Sequence, residues 1–171
     1  MLKKKFILLF ILNIVIIIII LLLFLSVYTL ELRSYSDNKL IYKKRVQIKD
    51  KFTLKYSHSV ALTPVWEIFT INDSFQVVLI ETNFLDHGAG LPYTAYNSEV
   101  FLNEDGKFKI KNMYRVMPSP IYYMVEKNRE NYFYFKDIEI NLSSLCGDEL
   151  LTIGVYKTNL FNHFLGGNLY E

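Results

Sequence analysis

The 171-residue chain carries 19 Lys and Arg against 17 Asp and Glu, and 51% of it is hydrophobic. Three of those lysines precede a long apolar run, and after residue 30 the balance is 16 against 17, so no basic field remains to drive nucleic-acid binding. The single cysteine, Cys146, excludes an internal disulfide, a zinc ribbon and a dithiol redox motif, and reads as a small buried apolar residue rather than a nucleophile.

Residues Phe6 to Leu25 are apolar except for Asn13. Twenty helical residues rise about 30 Å, the thickness of a bilayer's hydrocarbon core. The run is longer than a signal-peptide core and leads into Ser26-Val27-Tyr28-Thr29-Leu30 with no cleavage pattern, so it is expected to be an uncleaved signal anchor occupying residues 1–30. Lys3, Lys4 and Lys5 abut the span on one side; Arg33, Lys39, Lys43, Lys44 and Arg45 follow it on the other. The tighter amino-terminal triplet favours a cytoplasmic amino terminus and an exported domain, that is, a single pass through a cytoplasmic membrane. The Lys43-Lys44-Arg45 run reads as a solvated or headgroup-facing patch.

Residues 31–39 are polar and read as a juxtamembrane linker. Residues 40–158 then suit one extracytoplasmic β domain, with 159–171 as a tail. Strand signals run over 40–48, 51–59, 65–71, 75–84, 94–102, 107–114, 121–126, 131–141 and 150–156; in 51–59, Phe52, Leu54 and Tyr56 alternate with Lys51, Thr53 and Lys55. Asn72-Asp73-Ser74, Asn103 to Gly106 and Lys127 to Glu130 have the composition of hairpin connections, and 142–146 suits one short helical turn. The expected fold is all-β, a single antiparallel β-sandwich or partly open barrel behind one transmembrane helix.

Unusual residues concentrate between Tyr56 and Pro92: two of three histidines, the only tryptophan and two of four prolines. The ordered motifs Tyr56-x-His58-Ser59-Val60, Pro64-Val65-x-Glu67 and Gly88-Ala89-Gly90-Leu91-Pro92 resemble those of a bacterial family of unknown function. That family comprises small exported domains, often encoded beside or fused to permeases of TAXI-type TRAP transporters. The likeness runs over about residues 46–156. It implies a compartment and a transporter neighbour, either permease or solute-binding protein, but no reaction. His87 departs from the pattern and is not carried over.

The residues themselves limit the chemistry. If His58 and Ser59 are consecutive in one strand they leave opposite faces, which denies them a shared catalytic triad. A buried His58 needs a partner, and Glu67 on the adjoining strand is the expected one. A metal site would need His58, Glu67 and His87 or Asp86 to converge, and no ligand spacing signals it; no cofactor is expected. The glycines of 88–90 serve either a tight turn or a nest of amides for an anion. The reading is a membrane-tethered accessory or binding module with a face formed by His58, Ser59, Glu67, Gly88, Ala89, Gly90, Leu91 and Pro92, directed at a partner protein or a small acidic solute. The alternatives are an envelope metal-assisted hydrolase and a purely structural domain.

Overall fold

A computed structural model describes residues 2–85, 98–104 and 106–160. Helix α1 (Leu2–Phe24) is long and apolar enough to cross a membrane, and its span is not buried anywhere in the protein. The Asn13 side-chain amide donates to the Leu9 carbonyl one turn earlier at 3.0 Å, so the lone polar group of the run finds an acceptor within its own helix. Only Leu25 separates α1 from β1 (Ser26–Ser34).

Next come β2 (Leu40–Arg45), β3 (Lys51–Ser57), β4 (Pro64–Ile71), β5 (Val77–Phe84), β6 (Val100–Glu104), β7 (Lys107–Lys111), β8 (Arg115–Val116), β9 (Ile121–Val125), β10 (Asn131–Phe135) and β11 (Ile138–Asn141). The short helix α2 (Leu142–Cys146) and the long strand β12 (Glu149–Asn159) complete the described chain. The fold is the expected all-β sandwich behind an amino-terminal helix, with every pairing antiparallel. One sheet has the order β2-β1-β12-β9; the other has β11-β10-β3-β4-β5-β7-β6, with β8 paired to β5.

The inner faces follow from register. In the larger sheet Phe135, Phe52 and Phe69 lie side by side across β10, β3 and β4, as do Phe133, Leu54 and Glu67, then Asn131, Tyr56 and Val65. The opposing sheet contributes Leu30, Leu32, Leu151 and Ile153, all fully buried. Phe52 stacks on Phe69 with ring centroids 4.8 Å apart and meets Phe133 at 5.8 Å. A core of this kind is held by apolar burial, each large side chain contributing about 1.5–3 kcal/mol.

Three expectations change. The segment 31–39 is not a free linker: β1 runs from Ser26 to Ser34 at the centre of its sheet, between β2 and β12. Its polar residues are neutralised on the outer face, where Glu31 accepts from Thr29 Oγ1 at 2.9 Å and from Arg33 at 2.8 and 2.6 Å, with Lys43 Nζ 3.7 Å away. Gly154 lies opposite Glu31, and the Tyr156 ring occupies the space a Cβ would need at Gly154, covering the cluster. Second, 131–141 is two strands. They join at Lys136-Asp137, where Lys136, not a residue type that favours positive φ, takes φ 54° and only Asp137 signals the turn. Third, Lys127 to Glu130 is no hairpin. It carries the chain from β9 in one sheet to β10 in the other.

The short helical turn forms where expected, capped by Asn141, whose side chain accepts from Ser144 N. The Asn72 to Gln76 turn also forms, with Asn72 Oδ1 accepting from Ser74 and Gln76 amides and Phe75 at φ 57°. Strand directions then define two ends. The end beside α1 holds the start of β1, the end of β12, residues 46–50 and turn 72–76. The far end holds residues 58–63, residues 126–130 and α2.

Candidate functional site

β3 ends at Ser57, and the chain turns back into β4 through residues 58–63. His58 organises that turn from within. Its amide donates to the Thr63 carbonyl at 2.8 Å, its carbonyl accepts from Leu62 N at 3.0 Å, and its Nδ1 accepts from the amides of Val60 (3.3 Å) and Ala61 (3.2 Å). An Nδ1 that accepts two amide protons carries none itself, so the neutral ring bears its proton on Nε2.

The expected His58–Glu67 bond is absent. Register places Glu67 opposite Leu54, four residues before His58, which is about 13 Å along a strand. Glu67 instead faces inward between Leu54 and Thr82, with the Tyr56 hydroxyl as its hydrogen-bond partner. Burial holds its carboxyl above the ordinary value, the Tyr56 bond opposing in part. Burial likewise raises the Tyr56 and Tyr123 phenols.

His58 and Ser59 do share a surface, contrary to the alternation expected of two strand residues, because the strand has ended before either. Both line a cavity of about 310 Å³ at the far end, with Tyr56, Ser57, Tyr123, Arg129 and Asn131 among the other walls. A triad is still not formed: the His58 nitrogen that a carboxylate would orient is held by backbone amides. Among the described residues, no three His, Cys, Asp or Glu side chains are grouped as metal ligands. Asp86, His87 and the Gly88 to Pro92 motif, with Ala89, Gly90 and Leu91, lie outside the described residues. β5 ends at Phe84 opposite Val65, so the chain enters that stretch from the sheet end that carries His58.

The opposite wall was not legible in the sequence. Buried Asn131, at the start of β10, accepts from Tyr123 Oη at 2.9 Å; its Nδ2 lies 3.2 Å from the Glu126 and Arg129 carbonyls and 3.1 Å from Ser143 Oγ. The Ser143 hydroxyl donates in turn to the Arg129 carbonyl, and Ser57 N donates to the Glu130 carbonyl at 3.1 Å. These bonds fix the sheet-to-sheet crossing that carries Arg129. Its Nε pairs with Glu126 Oε2 at 2.7 Å, while its Nη1 is buried with no hydrogen-bond partner among the described residues. A buried guanidinium nitrogen without an acceptor is costly, and in native proteins such a group calls for an explanation.

The residues lining the cavity bring together donors, the Arg129 guanidinium, the His58 ring and the hydroxyls of Ser57 and Ser59, with one carboxylate, Glu126, already paired to Arg129. That inventory suits a ligand that presents oxygen acceptors. A second recess at the same end, about 210 Å³, is lined by Ser34, Asp37, Lys39, Cys146 and Glu149, a mixed set with no directional preference. Burial pushes the Cys146 thiol up to about 11, which agrees with its reading as an apolar residue. Trp66 stands on the outer face of the larger sheet, with Lys107 Nζ 4.5 Å and Lys55 Nζ 6.0 Å from its ring.

A family model described as Domain of unknown function (DUF1850) matches residues 52–142. That is more than half of the chain, and the chain belongs to this family. The matched span runs from the start of β3 to the start of α2 and takes in both walls of the cavity. No curated protein and no solved structure matches the chain.

Proposed function

We propose that this member of the DUF1850 family is a membrane-tethered binding module, held by α1 with its sandwich outside the cytoplasm, and that its far-end cavity receives a carboxylate. The observation that carries the reading is Arg129, a cavity-lining residue whose buried Nη1 has no hydrogen-bond partner among the described residues. A carboxylate supplies the missing acceptor in charge-assisted form, and the guanidinium fork is the side chain best matched to it. Glu126 takes the Nε edge of the fork and so aims the remaining nitrogens. The carboxylate belongs either to a small acidic solute or to an acidic side chain of a partner protein.

The resemblance to domains encoded beside TAXI-type TRAP permeases supports a transporter subunit as that partner, with the module acting as an accessory to solute uptake. Such systems take up solutes through an extracytoplasmic binding protein, on the side of the membrane where the tether would place the cavity.

Full-length protein in mild detergent is titrated calorimetrically with acetate, succinate and glutamate, and separately used to capture permease or solute-binding subunits from solubilised membranes. Binding of at least one carboxylate, or capture of a transporter subunit, is expected in the wild type, with at least a tenfold loss in Arg129→Ala. Neither effect in the wild type, or equal binding by Arg129→Ala, refutes the assignment.

A further inference from the structure

The end of the sandwich beside α1 has a charge pattern that the far-end cavity does not use. Lys44, Arg45, Lys49, Lys51 and Lys157 are all exposed there, and none has an ion-pair partner among the described residues. Lys136 joins them, 3.0 Å from Asp50. The acidic residues at this end, among those described, are Asp50, Asp73, Asp137 and Glu139, with Glu99 close by and paired to Arg115. Six cations against four anions leave a local excess of two positive charges among the described residues, in a domain that carries 16 cations and 17 anions after residue 30.

Two further observations place this surface. Leu25 is the only residue between α1 and β1, and the Leu160 amide donates to the Leu25 carbonyl at 2.8 Å, so the helix end is tied to both central strands of one sheet. Beside this junction lies an open recess of about 440 Å³ whose walls include Ser26, Tyr28, Arg45, Gln47, Ile48 and Phe75. Ile48 is 41% exposed on the loop that also carries Lys49, an apolar side chain within a ring of lysines.

On the reading that α1 is embedded, we infer that this end of the sandwich rests on the bilayer and holds anionic phospholipid headgroups. Arg45 at the recess would meet a headgroup phosphate, Ile48 would enter the interfacial layer, and Lys44, Lys49, Lys51 and Lys157 would add the field that anionic lipid attracts. Each lysine or arginine near such a surface contributes about 1 kcal/mol, and the attraction decays within a Debye length. The absence of a linker sets the cationic end at that distance. The segment Lys43-Lys44-Arg45 divides accordingly: Lys43 is consumed by Glu31, whereas Lys44 and Arg45 are left for the lipid.

The full-length protein is reconstituted into nanodiscs of phosphatidylcholine alone or of phosphatidylcholine with 40% phosphatidylglycerol, and amide hydrogen exchange is followed by mass spectrometry. Exchange across 44–51 is expected to slow at least threefold in the anionic discs, with 126–131 unchanged. The effect should vanish in 0.5 M salt and in the variant K44E/R45E/K49E. Equal exchange in the two lipids, or slowing that survives both salt and charge reversal, overturns the inference. Circular dichroism of the variant checks that the sandwich is intact; if it is not, the salt dependence of the wild type decides. Recovery of the protein in alkali-washed membranes tests the anchor separately, so failure of the anchor is distinguished from failure of the lipid contact.

Discussion

Removing the Glu31 carboxylate tests why β1 forms at all. In Glu31→Ala, Lys43 keeps a side chain only 8% exposed and loses the carboxylate 3.7 Å from its ammonium. Arg33 loses two bonds but is 28% exposed and still reaches the Asn38 carbonyl at 3.2 Å, so water and backbone recover part of that loss. Thr29 Oγ1 retains the Tyr156 carbonyl as an alternative acceptor at 3.4 Å. Leaving one partner of a buried ion pair uncompensated costs about 3–5 kcal/mol, and with Arg33 and Thr29 partly relieved the lower end applies, about 3 kcal/mol. For a sandwich of this size that corresponds to a fall in Tm of roughly 10 °C. The assay is thermal and urea unfolding of the full chain in mild detergent, followed by far-ultraviolet circular dichroism. The double variant Glu31→Leu with Lys43→Met removes both charges and should recover most of the loss, because apolar replacement of a buried pair is close to neutral. A single-variant loss below about 1 kcal/mol, or a double variant as unstable as the single, would refute the reasoning.

Glu67 makes a prediction about pH. Burial raises its carboxyl in the folded state, so the folded protein holds that proton more tightly than the unfolded chain; the stability this adds is present below 4.5 and is lost as pH rises through the folded value. Glu67→Gln should therefore exceed the wild type in urea midpoint at pH 7, with the difference shrinking toward pH 4; a constant difference across that range counts against burial as the cause. At His58, Ala removes the acceptor for two loop amides and should cost about 1–2 kcal/mol, whereas Asn places an oxygen near the Nδ1 position and should restore most of it. Neither variant carries the Nε2–H, so carboxylate binding should remain weakened in His58→Asn despite the recovered melting temperature; full binding would remove His58 from the cavity's chemistry.

Much of the fold was legible because period-two alternation reports burial directly, as at Phe52, Leu54 and Tyr56. It failed at β1, where Glu31 and Arg33 occupy strand positions, pair directly with each other, and are joined by Lys43 of β2 under the Tyr156 ring of β12. Composition cannot show such cancellation. The site was legible on one side. His58 and Ser59 stood out by type, yet their relation to Glu67 depended on register, and a shift of four residues separates chemistry that sequence proximity suggested was joined. Arg129 gave no local signal. Lys127-Asn128-Arg129-Glu130 has the look of an ordinary polar turn, and only the sheet change between β9 and β10 brings it across from His58.

The junction at Leu25 also makes the molecule a ruler. Strand β12 spans eleven residues from the junction end to the cavity end, a rise of about 35 Å along the strand. A domain on a slack tether samples many heights, but with α1 embedded as proposed the cavity would stand at a nearly constant elevation above the lipid. A protein that docks there as proposed would have to present its acidic group at that level, so stature as well as chemistry would select the partner. Lengthening the junction with a few glycines would leave the cavity intact and still abolish that selection.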